Sequence, residues 1–270
     1  MTGCASGIGE ACAIGLKSRG WRVFATARKP QDVARLTAEG FESLRLDYAD
    51  SQSIIDCVAE VARRTGGTLD ALFNNGAFAQ PGALEDISRD VLRAQFETNV
   101  FGWHELTRCC LPLLRANGRG RIVNVSSVLG FVALKWRGAY SASKFAIEAL
   151  SDAMRLELKG SGIEVILIEP GPIATNISSG ALAAFDANID QSASSYRDIY
   201  ARRRKRLTRP GRSRFTLPPS AVLAKLIQAL DSDRPKARYY VTVPTYIIAW
   251  ARRLLPQRAL DRLLDRFSKG

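Results

Sequence analysis

The chain has 270 residues, 46% apolar and 24% charged, an ordinary balance for a soluble globular protein; no apolar run approaches the roughly 20 residues that span a bilayer, and no basic-then-apolar leader precedes the first motif. There are five cysteines without a C-x-x-C pair, and a single histidine, His104, which argues against a disulfide framework or a zinc site and turns acid–base chemistry toward other side chains. The net charge of +13 lies at one end: residues 1 to 200 carry 21 basic and 22 acidic side chains, residues 201 to 270 carry 18 and 4.

Thr2-Gly3-Cys4-Ala5-Ser6-Gly7-Ile8-Gly9 opens the chain and runs into a helical pattern ending near Gly20. Glycines let a backbone approach a pyrophosphate, and a helix start offers free N–H groups to it. The spacing serves a tight turn equally well, so both readings stay open. A strand expected over 21–27 ends in Arg28-Lys29 with no acid. In a dinucleotide fold an acid there would take the ribose hydroxyls of NAD, and an arginine would accommodate the 2′-phosphate of NADP, so Arg28 points to NADP(H).

Further strands are expected over 41–46, 69–74, 121–125 and 164–169, several of them near-continuously apolar. Between them lie helical patterns such as 51–64, where Ile54, Ile55, Val58 and Val61 share a face. This alternation predicts an α/β fold: a doubly wound parallel sheet with helices on both sides, in one domain over 1–270. From 177 to 217 the pattern dissolves into Ala, Ser, Asp and Arg, which reads as an irregular substrate loop or lid. Helix resumes at Pro218-Pro219-Ser220, a last strand is expected over 239–243, and a basic C-terminal helix over 245–270.

Tyr140-Ser141-Ala142-Ser143-Lys144 starts a helix, and the i, i+4 spacing puts Tyr140 and Lys144 on one face. A free tyrosine, with a pKa of about 10, is a poor acid or base at neutrality; a nearby ammonium favours tyrosinate and lowers that value. Ser126 and Ser127 end a strand, where a hydroxyl can hold a carbonyl oxygen. Asn99 lies in a helical segment.

In their order and spacing, the opening glycine motif, Asn74-Asn75-Gly76-Ala77, Asn99, Ser127, Tyr140-x-x-x-Lys144 and Pro170-Gly171 resemble the short-chain dehydrogenase/reductase family over essentially the whole chain. The resemblance implies a Rossmann-type sheet and a shared set of catalytic roles. Tyr140 would exchange a proton with the substrate oxygen and Ser127 would orient that oxygen. Lys144 would bind the nicotinamide ribose and lower the pKa of Tyr140, and Asn99 would hold a water in a relay to Lys144. Cofactor contacts would come from Gly3, Ser6, Gly7, Ile8, Gly9, Arg28, Asp47, Asn75, Gly76, Pro170, Gly171 and Thr175, together with Tyr140 and Lys144. The resemblance also implies a homodimer or homotetramer through the helices holding Asn99 and Tyr140.

Two departures accompany it. Gly76-Ala77 stands where the family commonly has Ala-Gly, and the family's central strand before the Thr-Gly pair is missing from a chain that begins at Met1-Thr2. Without that strand two sheet edges would lie bare, which creates the expectation that the natural chain starts upstream.

Ile177, Leu182, Ala183, Ala184 and Phe185, with Leu129, Phe131, Val132 and Leu134, suggest an apolar pocket for an aldehyde, ketone or alcohol of steroid- or retinoid-like character; they serve equally well as core. Near the C-terminus Leu260, Leu263, Leu264 and Phe267 recur on one helical face, with Arg258, Arg262 and Arg266 on others and Trp250, Arg252 and Arg253 just before. Arg202-Arg203-Arg204-Lys205-Arg206 adds to the same excess. A peripheral helix on an anionic membrane and a packed terminal helix with a basic surface both fit, the second being preferred. No nucleic-acid motif is present, and free thiols suit a cytoplasmic location. The alternative to an enzyme is a non-catalytic dinucleotide-binding sensor or partner protein. The full set of Asn99, Ser127, Tyr140 and Lys144 argues against it.

Overall fold

The computed structural model describes residues 1–207 and 215–269, with side chains throughout except at 203, 205–207 and 267–269. Helix α1 (Gly7–Ser18) leads to β1 (Phe24–Ala27), α2 (Pro30–Ala38), β2 (Glu42–Arg45), α3 (Ser51–Thr65) and β3 (Ala71–Asn74). Then come α4 (Arg89–Phe96), α5 (Gly102–Ala116), β4 (Gly120–Val125), α6 (Gly138–Glu157) and β5 (Ile163–Glu169). Local chemistry sets the boundaries: the Asp50 carboxylate caps α3 by accepting from Ser53 N at 3.1 Å, and Gly66 ends it with φ at 68°.

The strands β3, β4 and β5 pair in parallel with β6 (Arg238–Tyr240), while β1 and β2 pair in parallel beside them. Alternate residues bury opposite faces, as a pleated sheet requires. The register partners Ile122 and Val165 pack with Leu114 of α5 and Leu158, next to α6. Their neighbours Val123 and Ile166 lie in the larger core with Val222 and Leu226 of α9 (Ser220–Asp231). Both faces of the sheet are therefore covered, as the apolar strand sequences foretell. A buried polar ladder ties the layers together: Asn74 Nδ2 donates to Thr107 Oγ1 and Asn124 Oδ1, each at 3.0 Å, and Asn124 Nδ2 donates to Ser151 Oγ at 2.9 Å.

Residues 1–4 lie between β1 and β3. Thr26 N donates to Met1 O, Cys4 N to Thr26 O and Thr2 N to Phe73 O, each at 3.0 Å, so this short segment joins the two sheets at their carboxyl ends. Toward the amino ends an apolar groove of about 70 Å³ remains open, lined by Leu16, Trp21, Phe24, Leu72, Val123 and Leu226 among others. The edges are thus paired at one end and open at the other.

Two expectations are corrected. Residues 177–217 are not an irregular loop: α7 (Ile177–Asn188) and α8 (Arg197–Leu207) occupy most of that stretch, and residues 208–214 lie outside the described ones. The helices have weak apolar periodicity because few of their residues face a core. Phe185, Ile189 and Tyr200 do so, packing with Ala83. The Tyr200 hydroxyl donates to Asp86 and accepts from Ala83 N at 2.8 Å. The second correction is at the C-terminus, where two helices replace one, α10 (Val243–Leu254) and α11 (Gln257–Lys269). Pro256 separates them, since Leu255 before it adopts extended backbone.

Candidate active site

The glycine segment is shaped by close approaches. Gly3 has φ of 65°, and a Cβ on Gly9 would stand 2.1 Å from Gly3 O, so neither position accepts a side chain. The Thr2 hydroxyl organises the neighbourhood: it accepts from Asn75 N at 2.8 Å, Gly76 N at 3.2 Å and the Tyr48 hydroxyl at 2.7 Å, and donates to Phe73 O at 3.2 Å. The Gly76-Ala77 order has a steric reason, because a Cβ at position 76 would press within 2.9 Å of the Tyr48 ring. Thr175 closes on Gly7 from the opposite side, its Cγ2 lying 3.2 Å from where a Cβ on Gly7 would be.

Ser6 stands exposed at the N-cap of α1, its hydroxyl making no capping bond. Ile8 lies half-buried in the first turn, behind it. Arg28 is exposed just past β1 and forms no ion pair among the described residues. Half-buried Asp47 accepts from Ala49 N at 3.1 Å. Pro170 O accepts from Val128 N at 2.8 Å, and Gly171 leaves no room for a Cβ against Thr242. A side-chain-free cradle and an open helix N-terminus fit the pyrophosphate of a nicotinamide dinucleotide.

Tyr140 and Lys144 sit on α6, 8% and 2% exposed. Burial pushes the Tyr140 hydroxyl up to about 12, opposed by the Arg137 charge and a hydrogen bond with Ser127. Burial also brings the Lys144 ammonium down to about 7, opposed by the carboxylate of Glu148. Lys144 Nζ donates to Val125 O at 2.8 Å and lies 4.4 Å from the centre of the Trp103 ring. The Ser127 hydroxyl accepts from Leu129 N at 3.1 Å.

Asn99 occupies a π-helical turn, Glu97–Phe101, between α4 and α5; such turns often mark functional positions. Its amide is fully engaged: Oδ1 accepts from Phe78 N at 3.1 Å, and Nδ2 donates to Phe78 O at 2.9 Å and Ser143 Oγ at 3.1 Å. Ser143 Oγ donates in turn to Tyr140 O at 2.7 Å. Asn99 thereby braces the turn that carries Tyr140.

All of these groups gather at the carboxyl ends of the strands, whereas the open groove lies at the amino ends. Of the apolar residues expected around a substrate, Leu129 packs with Ala79 and Ala181 against Tyr140, and Ile177 is exposed. Phe185 and Val132 belong to buried clusters instead.

Several residues here escaped sequence reasoning. Trp103 holds the ammonium from α5, donates from Nε1 to Gly76 O at 2.6 Å, and carries no local signal of either task. Glu148 had one: it lies a helical turn beyond Lys144 on the same face. It meets Arg238 from β6, which also reaches Glu169 at 2.6 Å and Asp152 at 2.6 Å.

Comparison with known proteins settles the family. The model of the short chain dehydrogenases matches residues 1–184. The chain belongs to this family. Among its relatives, the uncharacterized oxidoreductase YbbO of Escherichia coli (strain K12) is 43% identical over 266 residues, covering 98% of this chain and 93% of that one. The NADPH-dependent 3-dehydrocapnine reductase of Ornithobacterium rhinotracheale is 34% identical over 271 residues, covering 97% and 94%. The crystal structure of a short-chain dehydrogenase from Streptomyces avermitilis superimposes with a TM-score of 0.78 at 29% identity, covering 100% of this chain and 95% of that one. This short-chain dehydrogenase thus has the parallel sheet read from its strand–helix alternation and the Rossmann-like fold its resemblance implied, and it is an oxidoreductase by family.

Proposed function

We propose that this short-chain dehydrogenase is an NADP(H)-dependent reductase of lipophilic aldehydes or ketones, or a dehydrogenase of the matching alcohols. One observation carries the reading: buried Tyr140 stands between Ser127 and Lys144 at the same end of the sheet as the glycine cradle.

The cradle of Gly3, Gly7 and Gly9 would hold the pyrophosphate with Ser6 and Ile8 at the start of α1, and Asp47, Asn75 and Gly76 would meet the adenosine. Arg28 would pair with the 2′-phosphate, as a fork-shaped cation does best. Pro170, Gly171 and Thr175 would border the nicotinamide, and Lys144 its ribose. When bound, that group supplies or takes up the hydride. Ser127 donates a hydrogen bond to the substrate oxygen, and Tyr140 Oη gives it a proton in the reducing direction. Burial suits Tyr140 to that direction, because it keeps the hydroxyl protonated at neutral pH. Arg137, Ser127 and the Lys144 charge stabilise the tyrosinate that remains.

Ala79, Leu129 and Ala181 beside Tyr140 support an apolar substrate, with α7 and α8 as its cover. A homodimer or homotetramer through α5 and α6 is part of this reading, supported by Phe101 and Leu150, which stand exposed beside and on those helices. All five cysteines are free and four of them buried, which suits a cytoplasmic protein.

Nicotinamide fluorescence on titration with NADPH and NADH tests the cofactor, and a carbonyl panel tests the reaction. Tyr140→Phe should lower turnover by roughly a thousandfold while leaving NADPH binding intact. Turnover that survives this change removes the proton-donor role, and NADPH binding with no turnover on any carbonyl favours the sensor reading.

A further inference from the structure

The basic C-terminal region separates into two helices with different faces. In α11, Leu260 and Leu264 are buried against Val132 and Ile248, so these two leucines of the repeat that first suggested a membrane helix are spent on packing. Leu263 is half-buried, and the side chain of Phe267 lies outside the described ones. In α10 the inner face (Thr245, Ile248, Ala249) is buried. The outer face is not: Val243, Tyr246, Ile247, Trp250 and Leu254 are all exposed, Trp250 by 60% and Leu254 by 72%. Their spacing of i, i+3, i+4, i+7 and i+11 makes one continuous stripe along the helix.

Charge flanks that stripe. Helix α10 has no acidic residue, and Arg252 and Arg253 occupy its last turn. Arg258, Arg262 and Arg266 follow on the solvent side of α11. None of these five arginines forms an ion pair among the described residues; of the two acids of α11, Asp265 is taken by Lys135 at 2.5 Å and Asp261 accepts from Gln257 Nε2 at 2.7 Å. Apolar area bordered by guanidinium groups in excess of acids suits a surface that is apolar beneath and anionic on top. We propose that the outer face of α10 docks on an anionic lipid surface, Ile247, Trp250 and Leu254 entering the headgroup boundary and Arg252, Arg253 and Arg258 pairing with phosphates.

Charge complementarity selects this occupant over a second copy of the chain. A two-fold contact would set the same stripe against itself and bring two sets of arginines together without acids between them. Nucleic acid would satisfy the arginines, but it offers nothing to a row of Ile, Trp and Leu. Docking also has a consequence for access. Ile248, on the inner face of α10, packs with the segment from Val128 to Leu134 that follows Ser127. A lipid surface at α10 therefore borders the wall of the reacting centre. The docking inference rests on the surface alone and does not require the reductase reading.

Co-sedimentation of the whole protein with phosphatidylglycerol–phosphatidylcholine vesicles and with pure phosphatidylcholine vesicles, at about 0.1 M and about 1 M salt, is the test. Uptake by the anionic vesicles at low salt is expected, falling about tenfold at high salt, with a blue shift of tryptophan emission that Trp250→Phe removes. Ile247→Glu and Trp250→Glu, both at exposed positions, should each abolish uptake. Arg252→Glu with Arg253→Glu should abolish the preference for anionic lipid, with cofactor binding unchanged throughout. Failure of the unmodified protein to bind anionic vesicles at low salt overturns the proposal, as does binding that Ile247→Glu leaves intact. A dimer in analytical ultracentrifugation that Ile247→Glu dissociates, without vesicle uptake, assigns the stripe to subunit contact instead.

Discussion

Replacing Glu169 by Gln probes the carboxylate cluster beneath Lys144. Glu169 ends β5 with no exposed surface, its Oε1 accepting from Arg238 Nη1 at 2.6 Å and its Oε2 having no hydrogen-bond partner. Burial, then the neighbouring Glu148 charge, push its carboxyl up to about 8, against the pull of Arg238. The folded-state value lies above the unfolded one, so the folded protein holds the proton longer. Stability from this group is complete below about 4.5 and declines as pH rises toward 8. Each unit of that window is worth at most about 1.4 kcal/mol, which makes the loss across it on the order of a few kcal/mol. Gln keeps the shape and the acceptor for Arg238 but cannot ionise. Urea unfolding between pH 5 and pH 8.5 should show the native midpoint falling, while Glu169→Gln matches it at the acid end and exceeds it at the alkaline end. Parallel curves for the two proteins would refute the assignment of a protonated, buried Glu169.

Three further outcomes follow from the geometry. Glu148→Gln removes the charge that opposes desolvation of Lys144; the lysine then loses its proton sooner, and the alkaline limb of the reduction rate should move about one pH unit lower. A pH profile of kcat/KM measures it, and coincident limbs would count against Lys144 acting as an ammonium. Arg28→Glu should weaken NADPH binding by roughly ten- to a hundredfold with a far smaller effect on NADH, read by fluorescence titration. Thr2→Val strands Asn75 N, Gly76 N and the Tyr48 hydroxyl without their shared acceptor and should lower stability by about 2–3 kcal/mol, read by chemical denaturation.

The sequence alone determined whatever depends on near neighbours along the chain. Apolar runs such as Val165 to Ile168 identify buried strands because a residue facing either side of a covered sheet must be apolar. Tyr140 and Lys144 are legible as a pair because helix geometry fixes what lies four residues on. Gly3, Gly7 and Gly9 mark a cradle because only glycine permits those approaches. Residues 177–217 were illegible for the converse reason: α7 and α8 gain their helicity from a few contacts, Tyr200 with Asp86 and Phe185 with Tyr200, that join separate segments. Tertiary structure likewise decided what surrounds Lys144 and its helical neighbour Glu148. Trp103 of α5 meets the ammonium, and Arg238 of β6 holds Glu148 together with Glu169 of β5; no local spacing relates these elements, which meet only when the sheet is assembled. It also chose between the two C-terminal faces, burying Leu260 and Leu264 of α11 and leaving the stripe on α10 open. Periodicity shows that a helix has an apolar face, but only packing shows what that face meets.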